Sequence, residues 1–280
     1  MTRIRRPPRV GNVYAMLTVT AALWGAASGL LVPRAAYRFS VDPEHDWRGT
    51  CPAGHALTGA AGGWLGSTRC AACAAAVPVA ATATGTTAPP TVSGPRTAAA
   101  RYAPGVLMPV VTALACAVLA AATGPRPELL VWLLLAPVGV LLATIDHRVH
   151  RLPDQLTLPA AAAVTALLGV AALLPHHAGN WVSGLLGGAA LGGFYFLLFL
   201  INPNGMGFGD VKLALSLGVA LGWYGWTVLF AGGFAGFLLG AVYGFGLMVL
   251  GRAGRKTGIP FGPFMITGAL LGILLGGLAA

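Results

Sequence analysis

Long apolar runs separated by short polar loops make up most of this sequence. Eight runs are candidate membrane spans, at about 12–32, 105–122, 129–145, 157–174, 182–201, 211–223, 226–250 and 263–279. Most of them approach or exceed the roughly 20 residues that an α-helix needs to cross a bilayer. The run at 211–223 is short, and residues 222–225 could form only a tight turn before the next one. The pattern predicts an all-α polytopic membrane protein with about eight transmembrane helices.

One large polar insert, at about 33–104, interrupts the apolar pattern after the first run. Its second half, 74–100, is rich in Ala, Thr, Pro and Gly, which is typical of a flexible linker. The first run follows a basic tail but is too long for a signal peptide and lacks a cleavage site, so we expect an uncleaved helix. The sequence thus divides into a tail with the first helix (1–32), a polar loop (33–104) and a transmembrane domain (105–280).

Composition agrees with a membrane location and argues against nucleic acid as a partner. Hydrophobic residues make up 56% of the chain and charged residues 9%, with a net charge of +10. The cations are scattered through short loops, which is typical of membrane topology and contact with lipid headgroups. Counting Lys and Arg predicts that the polar insert faces the cytoplasm, because only Arg126 and the basic tail then lie on the opposite side. The four tail arginines conflict with this orientation.

Carboxylates are few, and four of the seven lie beside apolar runs. An ionisable group next to hydrocarbon is costly and is a functional hypothesis by default. We interpret Glu128 as a loop charge beside Arg126. The predicted topology brings the other three to the cytoplasmic face: Asp146, Asp154 and Asp210.

Asp146 and Asp210 are the strongest candidates for chemistry. Asp146 ends the third run, and Asp210 follows the fifth in a turn that contains Gly205, Gly207 and Gly209. Those glycines permit positive φ and allow another backbone to approach. Two neighbouring carboxylates share one proton, so one can activate water while the other polarises a carbonyl. An aspartic peptidase and a proton-coupled membrane transporter both fit this spacing.

Each aspartate also has a structural interpretation. Asp146 could pair with Arg148 or Arg151 at the interface, and Asp210 could cap the helix that it begins. Asp154, after Pro153, is better interpreted as a cap of the fourth run. Lys212, two residues after Asp210, could orient substrate or tune Asp210, but contact with lipid headgroups is the simpler interpretation.

Three motifs in order resemble the type IV prepilin peptidase family of GxGD-type membrane aspartic peptidases. Asp146 with Pro153 seven residues later resembles the first aspartate motif, residues 207–213 (GFGDVKL) resemble the GxGD motif, and residues 259–264 (IPFGPF) resemble the segment that opens the last helix. The resemblance covers about 105–280. It implies that Asp146 and Asp210 are catalytic and that Gly207, Gly209, Lys212 and Pro153 shape the site or bind substrate.

The resemblance also implies a function and a location. Family members cleave the basic leader of prepilin-like proteins at the cytoplasmic face of the bacterial inner membrane. Many bacterial members then methylate the new N-terminus with S-adenosylmethionine. The N-terminal region associated with that activity resembles the family only weakly here, so the methyltransferase is left open. The resemblance gives no oligomeric state.

A cysteine cluster lies in the polar insert. Cys70 and Cys73 have the spacing of one zinc half-site, and Cys51 with His55 could supply the other half. In a reducing cytoplasm a metal is favoured over a disulfide. The family often carries two CxxC pairs here, whereas Gly54 stands where the second cysteine of the first pair would be. We predict a structural zinc with His55 in shifted register; free thiols are the alternative.

Overall fold

The structure is a computed structural model that describes residues 10–42, 44–75, 105–203, 205–251 and 258–280. Residues 1–9 of the basic tail and 76–100 of the predicted linker lie outside this part. Within it, the helices of eight or more residues are α1 (Val10–Gly29), α2 (Val32–Phe39), α3 (Leu107–Thr123), α4 (Glu128–Val149), α5 (Asp154–Ala171), α6 (Trp181–Ile201), α7 (Phe208–Trp223), α8 (Trp226–Val249) and α9 (Gly262–Ala279).

The predicted all-α, multi-span architecture is confirmed. Each of the eight apolar runs coincides with a helix, namely α1 and α3 to α9. Six helical stretches in the described residues are long and apolar enough to cross a membrane, the first of which, Asn12–Phe39, includes α2. Helix α3 has 17 residues and α7 has 16, so these two are shorter than the others. The chain is therefore a multi-pass membrane protein, and Gly225 (φ 102°) makes the predicted turn between α7 and α8.

Glycines allow two pairs of helices to pack at backbone contact. In α6 and α7, a Cβ on Gly218 would lie 2.5 Å from the carbonyl oxygen of Gly187. In α8 and α9, Gly268 packs directly against Gly236. Small residues of this kind are what membrane helices use to approach closely, because lipid provides little hydrophobic driving force for association. These close contacts fix the position of α7 relative to α6 and of α9 relative to α8.

The core runs through the middle of the bundle. Trp132 of α4, Leu168 of α5 and Trp223 of α7 are each at most 2% exposed and belong to one continuous cluster. A second cluster, nearer the other end of the bundle, includes Leu142, Leu152 and Leu213 together with Tyr195. The second cluster lies directly beneath the aspartates, so their positions depend on packed side chains rather than on mobile loops.

Consecutive helices alternate in direction, which brings six helix ends to one face of the bundle. The C-terminal ends of α4, α6 and α8 lie there with the N-terminal ends of α5, α7 and α9. Contacts between these ends confirm the arrangement, because the Gly262 N–H of α9 reaches Asp146 of α4 and Lys212 of α7 reaches Asp154 of α5. The three aspartates therefore share one face, as the loop-charge count predicts.

Residues 40–75 form a small lobe attached to this bundle through α2. The lobe has one antiparallel bridge between Thr50 and Ala56. Arg34 of α2 is 4% exposed and donates to the carbonyl oxygens of Thr58 and Ser67. Helix α2 in turn packs against α4. The lobe is thus fastened to the helix that carries Asp146.

Candidate active site

Asp146 lies in the last turn of α4 and meets the first residue of α9. Its side chain is 4% exposed, and its Oδ2 accepts a hydrogen bond from the Gly262 backbone N–H at 2.8 Å. The first N–H groups of a helix have no partner within the helix, and the helix dipole favours negative charge at that end. The IPFGP segment therefore supplies a donor to Asp146, a role that the sequence analysis did not assign to Gly262.

Asp210 occupies the first turn of α7. Its Oδ2 accepts a hydrogen bond from the Gly207 N–H at 3.2 Å, and Gly207 is the N-cap residue. The capping interpretation of Asp210 is thus correct as geometry. Its Oδ2 thus accepts the capping hydrogen bond, and Asp210 is only 8% exposed.

The two carboxylates are close enough to interact electrostatically. Neither forms a salt bridge within the described part of the chain, where the recorded ion pair is Lys212 with Asp154. The suggestion that Asp146 pairs with Arg148 or Arg151 is therefore wrong. Two buried carboxylates that are held by backbone N–H donors, and that form no salt bridge with any described residue, make the kind of site in which acid–base pairs operate.

The glycines of the GxGD turn act differently from what we expected. Gly205, Gly207 and Gly209 are not among the residues with positive φ, so conformational freedom is not why glycine is needed. The expected close approach does occur at Gly209, where an added Cβ would lie 2.9 Å from the Cβ of Leu152. Gly209 thus lets the segment after Asp146 pack directly against the segment that carries Asp210.

Lys212 and Asp154 form an ion pair with an Nζ–Oδ1 distance of 2.6 Å. Lys212 is 17% exposed and also lies 4.9 Å from the ring centroid of Phe208, whereas Asp154 is 55% exposed. The Lys212 ammonium thus turns toward α5, a partner that the headgroup interpretation did not include. The capping interpretation of Asp154 is wrong, because Pro153 is the N-cap residue and α5 has no side-chain cap bond.

Glu128 is buried within the bundle, contrary to the expectation of a loop charge. It is fully buried at the start of α4, on the face opposite the aspartates, and is not a loop charge. Its Oε1 accepts a hydrogen bond from the Ala178 N–H at 3.2 Å, and its Oε2 has no hydrogen-bond partner among the described residues. Because its one hydrogen bond ties α4 to the α5–α6 loop, we assign it to structure rather than to chemistry.

An apolar cavity of about 580 Å³ lies between α3, α4, α7 and α9, with one residue from α5. Its wall includes His147, the residue after Asp146 on α4, and Pro263, the residue after Gly262 on α9. It then follows α4 as far as Trp132. Sequence patterning could not reveal this cavity, because its lining residues are as apolar as those that face lipid.

The lobe brings together the four predicted metal ligands. The Sγ atoms of Cys51, Cys70 and Cys73 and the Nδ1 of His55 all lie within 4.8 Å of one another. The Cys51 and Cys73 sulfurs are 3.7 Å apart, and His55 Nδ1 lies 3.6 Å from the Cys51 sulfur. A tetrahedral zinc with bonds of about 2.3 Å to sulfur has edges of roughly 3.8 Å, so the spacing fits. This group could bind a metal, with His55 Nδ1 placed to supply the fourth ligand atom.

Local backbone geometry explains the shifted register. Gly54 has φ 85°, and the Cys51 N–H donates to the His55 carbonyl oxygen at 2.8 Å, which closes a tight loop. Burial raises the pKa of the Cys51 thiol. Hydrogen bonds, first from the Ala53 and His55 backbone and then from the side chains of His55 and Cys70, outweigh burial and lower this pKa to about 6. Cys51 therefore favours the thiolate, the form that binds metal.

Sequence similarity to known proteins shows the family of this chain. The sequence model of the type IV leader peptidase family matches residues 130–245, which include both aspartates. The leader peptidase HopD of Escherichia coli is 33% identical over 142 residues, which cover 48% of this chain and 84% of that relative. The chain belongs to the type IV leader peptidase family. No solved structure matches it significantly.

Longer relatives of the family match over part of their length. The prepilin leader peptidase/N-methyltransferase of Aeromonas salmonicida is 35% identical over 180 residues, 61% of this chain and 57% of the relative. The protein of the same name from Bacillus subtilis is 38% identical over 99 residues, 35% of this chain and 38% of the relative. The chain thus spans little more than half the length of the Aeromonas leader peptidase. The resemblance drawn from the three motifs is confirmed at the level of the family.

Proposed function

We propose that this leader peptidase family member is a prepilin peptidase, an aspartic endopeptidase that removes the basic leader of type IV prepilin-like proteins. The observation that carries the proposal is that two buried carboxylates, Asp146 and Asp210, lie on one face of the bundle and are close enough to interact electrostatically. Relatives named prepilin leader peptidase support the substrate class. No contact in the described residues favours the transporter alternative.

Asp146 and Asp210 are the catalytic residues in this proposal, and each has a role. One carboxylate takes a proton from a water molecule, and the oxygen of that water attacks the carbonyl carbon of the scissile peptide bond. The other, protonated, carboxyl donates to the carbonyl oxygen. The tetrahedral intermediate then collapses: the carbon–nitrogen bond breaks and the leaving nitrogen takes a proton from the pair. The products are a leader that ends in a carboxylate and a mature protein with a free amine.

Neighbouring groups support this chemistry by holding the carboxylates. The Gly262 N–H holds Asp146 at the N-terminal end of α9, and the Gly207 N–H holds Asp210. In both cases the hydrogen bond is made through Oδ2, and in this proposal Oδ1 is the oxygen that meets water or substrate. We assign Gly207, Gly209, Lys212 and Pro153 to shaping the site, because they set the start of α7 and the start of α5.

The proposed location is the bacterial inner membrane, with the aspartates facing the cytoplasm. The loop cations support this orientation, since Arg148, Arg151 and Lys212 lie at the same face as the aspartates. A membrane-anchored substrate would bring its own apolar helix into the bilayer beside the enzyme. Its peptide bond just outside the apolar segment would then reach the depth of Asp146 and Asp210.

Zinc is the metal that we propose for the lobe. Three thiols and an imidazole in a closed tetrahedral arrangement are typical of structural zinc sites. Bound zinc would hold the two ligand loops together and stabilise the lobe on α2; it takes no part in peptide cleavage. N-methylation of the new N-terminus is a separate hypothesis that would require S-adenosylmethionine, and a methyl mass increase in the product would reveal it.

A cleavage assay tests the peptidase proposal. Purified protein in lipid nanodiscs is mixed with a prepilin-like precursor, and the products are identified by mass spectrometry. We expect the wild type to release the leader, and Asp146→Asn and Asp210→Asn to lose at least about 1,000-fold in rate. Asp42→Asn, which removes an exposed carboxylate of the lobe, serves as the control and should cleave normally. A folded Asp146→Asn or Asp210→Asn variant with normal activity would contradict the proposal.

A further inference from the structure

The apolar cavity is built by the helices that hold the aspartate pair. On α7, Leu213 and Leu217 line it, three and seven residues after Asp210, so they lie on the same helix face as that carboxylate. On α4, Gly139 and Leu142 line it, seven and four residues before Asp146. Neither aspartate lines the cavity, but residues one to four positions from Asp146 and three positions from Asp210 do, so the cavity lies beside the pair and extends along α4 toward the middle of the membrane.

Ser216 is a polar residue in the wall of this apolar cavity. It lines the cavity and is 7% exposed, and its buried hydroxyl has no hydrogen-bond partner in the part of the chain that the structure describes. Helix hydroxyls commonly donate to the carbonyl oxygen four residues earlier, as Thr144 does to Val140 and Thr267 does to Pro263. The Ser216 hydroxyl makes no such bond and is therefore an unusual buried polar atom in the helix wall beside the cavity.

The cavity is also accessible from the side of the bundle. Leu107 and Val111 of α3 form part of its wall, yet they are 57% and 41% exposed on the bundle surface. At the end near Asp146 the wall becomes polar, with His147 and Arg148. A ligand that enters from the bilayer would thus place its apolar part in the cavity and its polar part at the aspartates.

We propose that this cavity is the subsite for the first apolar side chains that follow the scissile bond of a membrane-anchored substrate. The inference rests on the proposed peptidase function and adds the feature by which the substrate is positioned. A volume of about 580 Å³ falls in the range of ligand pockets, roughly 300–1,000 Å³, and suits a few side chains rather than a whole helix. Its position beside Asp146 and Asp210 favours the substrate over a lipid chain as the occupant.

A cavity-filling substitution on α3 tests the subsite without changing the catalytic helices. Ala115 lines the cavity, and Ala121 lies on the same helix, is exposed, and does not line it. We compare Ala115→Phe with Ala121→Phe on two precursors, one natural and one in which the three residues after the scissile bond are alanine. For the natural precursor, Ala115→Phe should lower kcat/KM at least about tenfold, mostly through KM, relative to Ala121→Phe.

The alanine precursor completes a double-mutant cycle. Its side chains would not fill the cavity, so Ala115→Phe should lower its kcat/KM less than threefold. Equal cleavage of the natural precursor by the two variants would overturn the subsite, and so would an equal loss on both precursors. Failure of the wild type to cleave any precursor would instead overturn the proposed function.

Photocrosslinking gives a measurement that does not depend on turnover. A photoreactive residue is placed at position 115 or 121 in an Asp210→Asn background, and natural precursor is added. We expect crosslinks from position 115 to the apolar residues just after the scissile bond, and few from position 121. Crosslinks only to lipid, or to the leader, would overturn the assignment.

Discussion

Replacing Gly262 by alanine tests whether the start of α9 positions the Asp146 carboxylate. An added Cβ would lie 2.8 Å from Oδ2 of Asp146 and 3.2 Å from its Cγ, both tighter than ordinary van der Waals contact. Asp146 is 4% exposed and belongs to α4, so its side chain has little room to withdraw. The carboxylate must therefore shift by a few tenths of an ångström, and its 2.8 Å hydrogen bond to the Gly262 N–H is distorted.

The expected size of the effect follows from that hydrogen bond. A hydrogen bond to a charged group contributes about 1.5–3 kcal/mol, and each 1.36 kcal/mol corresponds to a tenfold change in rate. Full loss of the bond would lower kcat about 10- to 150-fold, with KM little changed because the bond positions a catalytic carboxylate rather than the substrate. Alanine is not expected to unfold α9, since alanine has a higher helix propensity than glycine.

The assay measures kcat and KM for precursor cleavage together with the unfolding temperature. Gly258→Ala is the matched control, because it lies in the segment just before α9 and an added Cβ there meets nothing within 4 Å. It should cleave as the wild type does. A Gly262→Ala variant that cleaves within twofold of the wild type would refute the idea that this contact positions Asp146.

Three further substitutions have distinct expected outcomes. Cys70→Ser should abolish stoichiometric zinc in metal analysis of the purified protein, whereas Cys116→Ala, which removes a cysteine buried in α3, should not; zinc that persists in Cys70→Ser would contradict the site. Asp154→Asn should lower the unfolding free energy by at most about 1 kcal/mol, because Asp154 is largely exposed, and a larger loss in denaturant titration would show that the Lys212 pair is worth more than its exposure suggests. Glu128→Ala should lower the unfolding free energy by about 1–3 kcal/mol through the unpaired Ala178 N–H, yet leave the KM for precursor unchanged; a raised KM would connect that face to substrate binding.

The spans and the shared face of the aspartates could be predicted because they depend on local signals. Hydrophobic runs mark membrane helices wherever they pack, and alternating loops fix which ends lie together. Asp146 and Asp210 were identifiable for the same reason, since a carboxylate at the edge of an apolar run is costly. The Cys/His group was identifiable from its spacing, and Gly54 explains how His55 reaches the other ligands.

Features that depend on contacts between distant helices could not be predicted. The Gly262 N–H reaches Asp146 across 116 residues of sequence, and nothing in the local pattern of either residue indicates the other. Lys212 and Glu128 were assigned to the surface because single charges usually belong there, whereas packing turns one toward Asp154 and buries the other. Nothing in the sequence distinguishes Ser216 from other serines, and only the structure shows that it lines the cavity.

The most direct test of the central claim is whether Asp146 and Asp210 act as one unit. Cleavage rates of one prepilin-like precursor are measured for the wild type, Asp146→Asn, Asp210→Asn and the double variant, with folding checked by the unfolding temperature. Because a carboxylate pair works only when both members are present, we predict that each single variant falls to the residual rate of the double variant. Independent, multiplicative losses, or substantial activity in either single variant, would contradict the account.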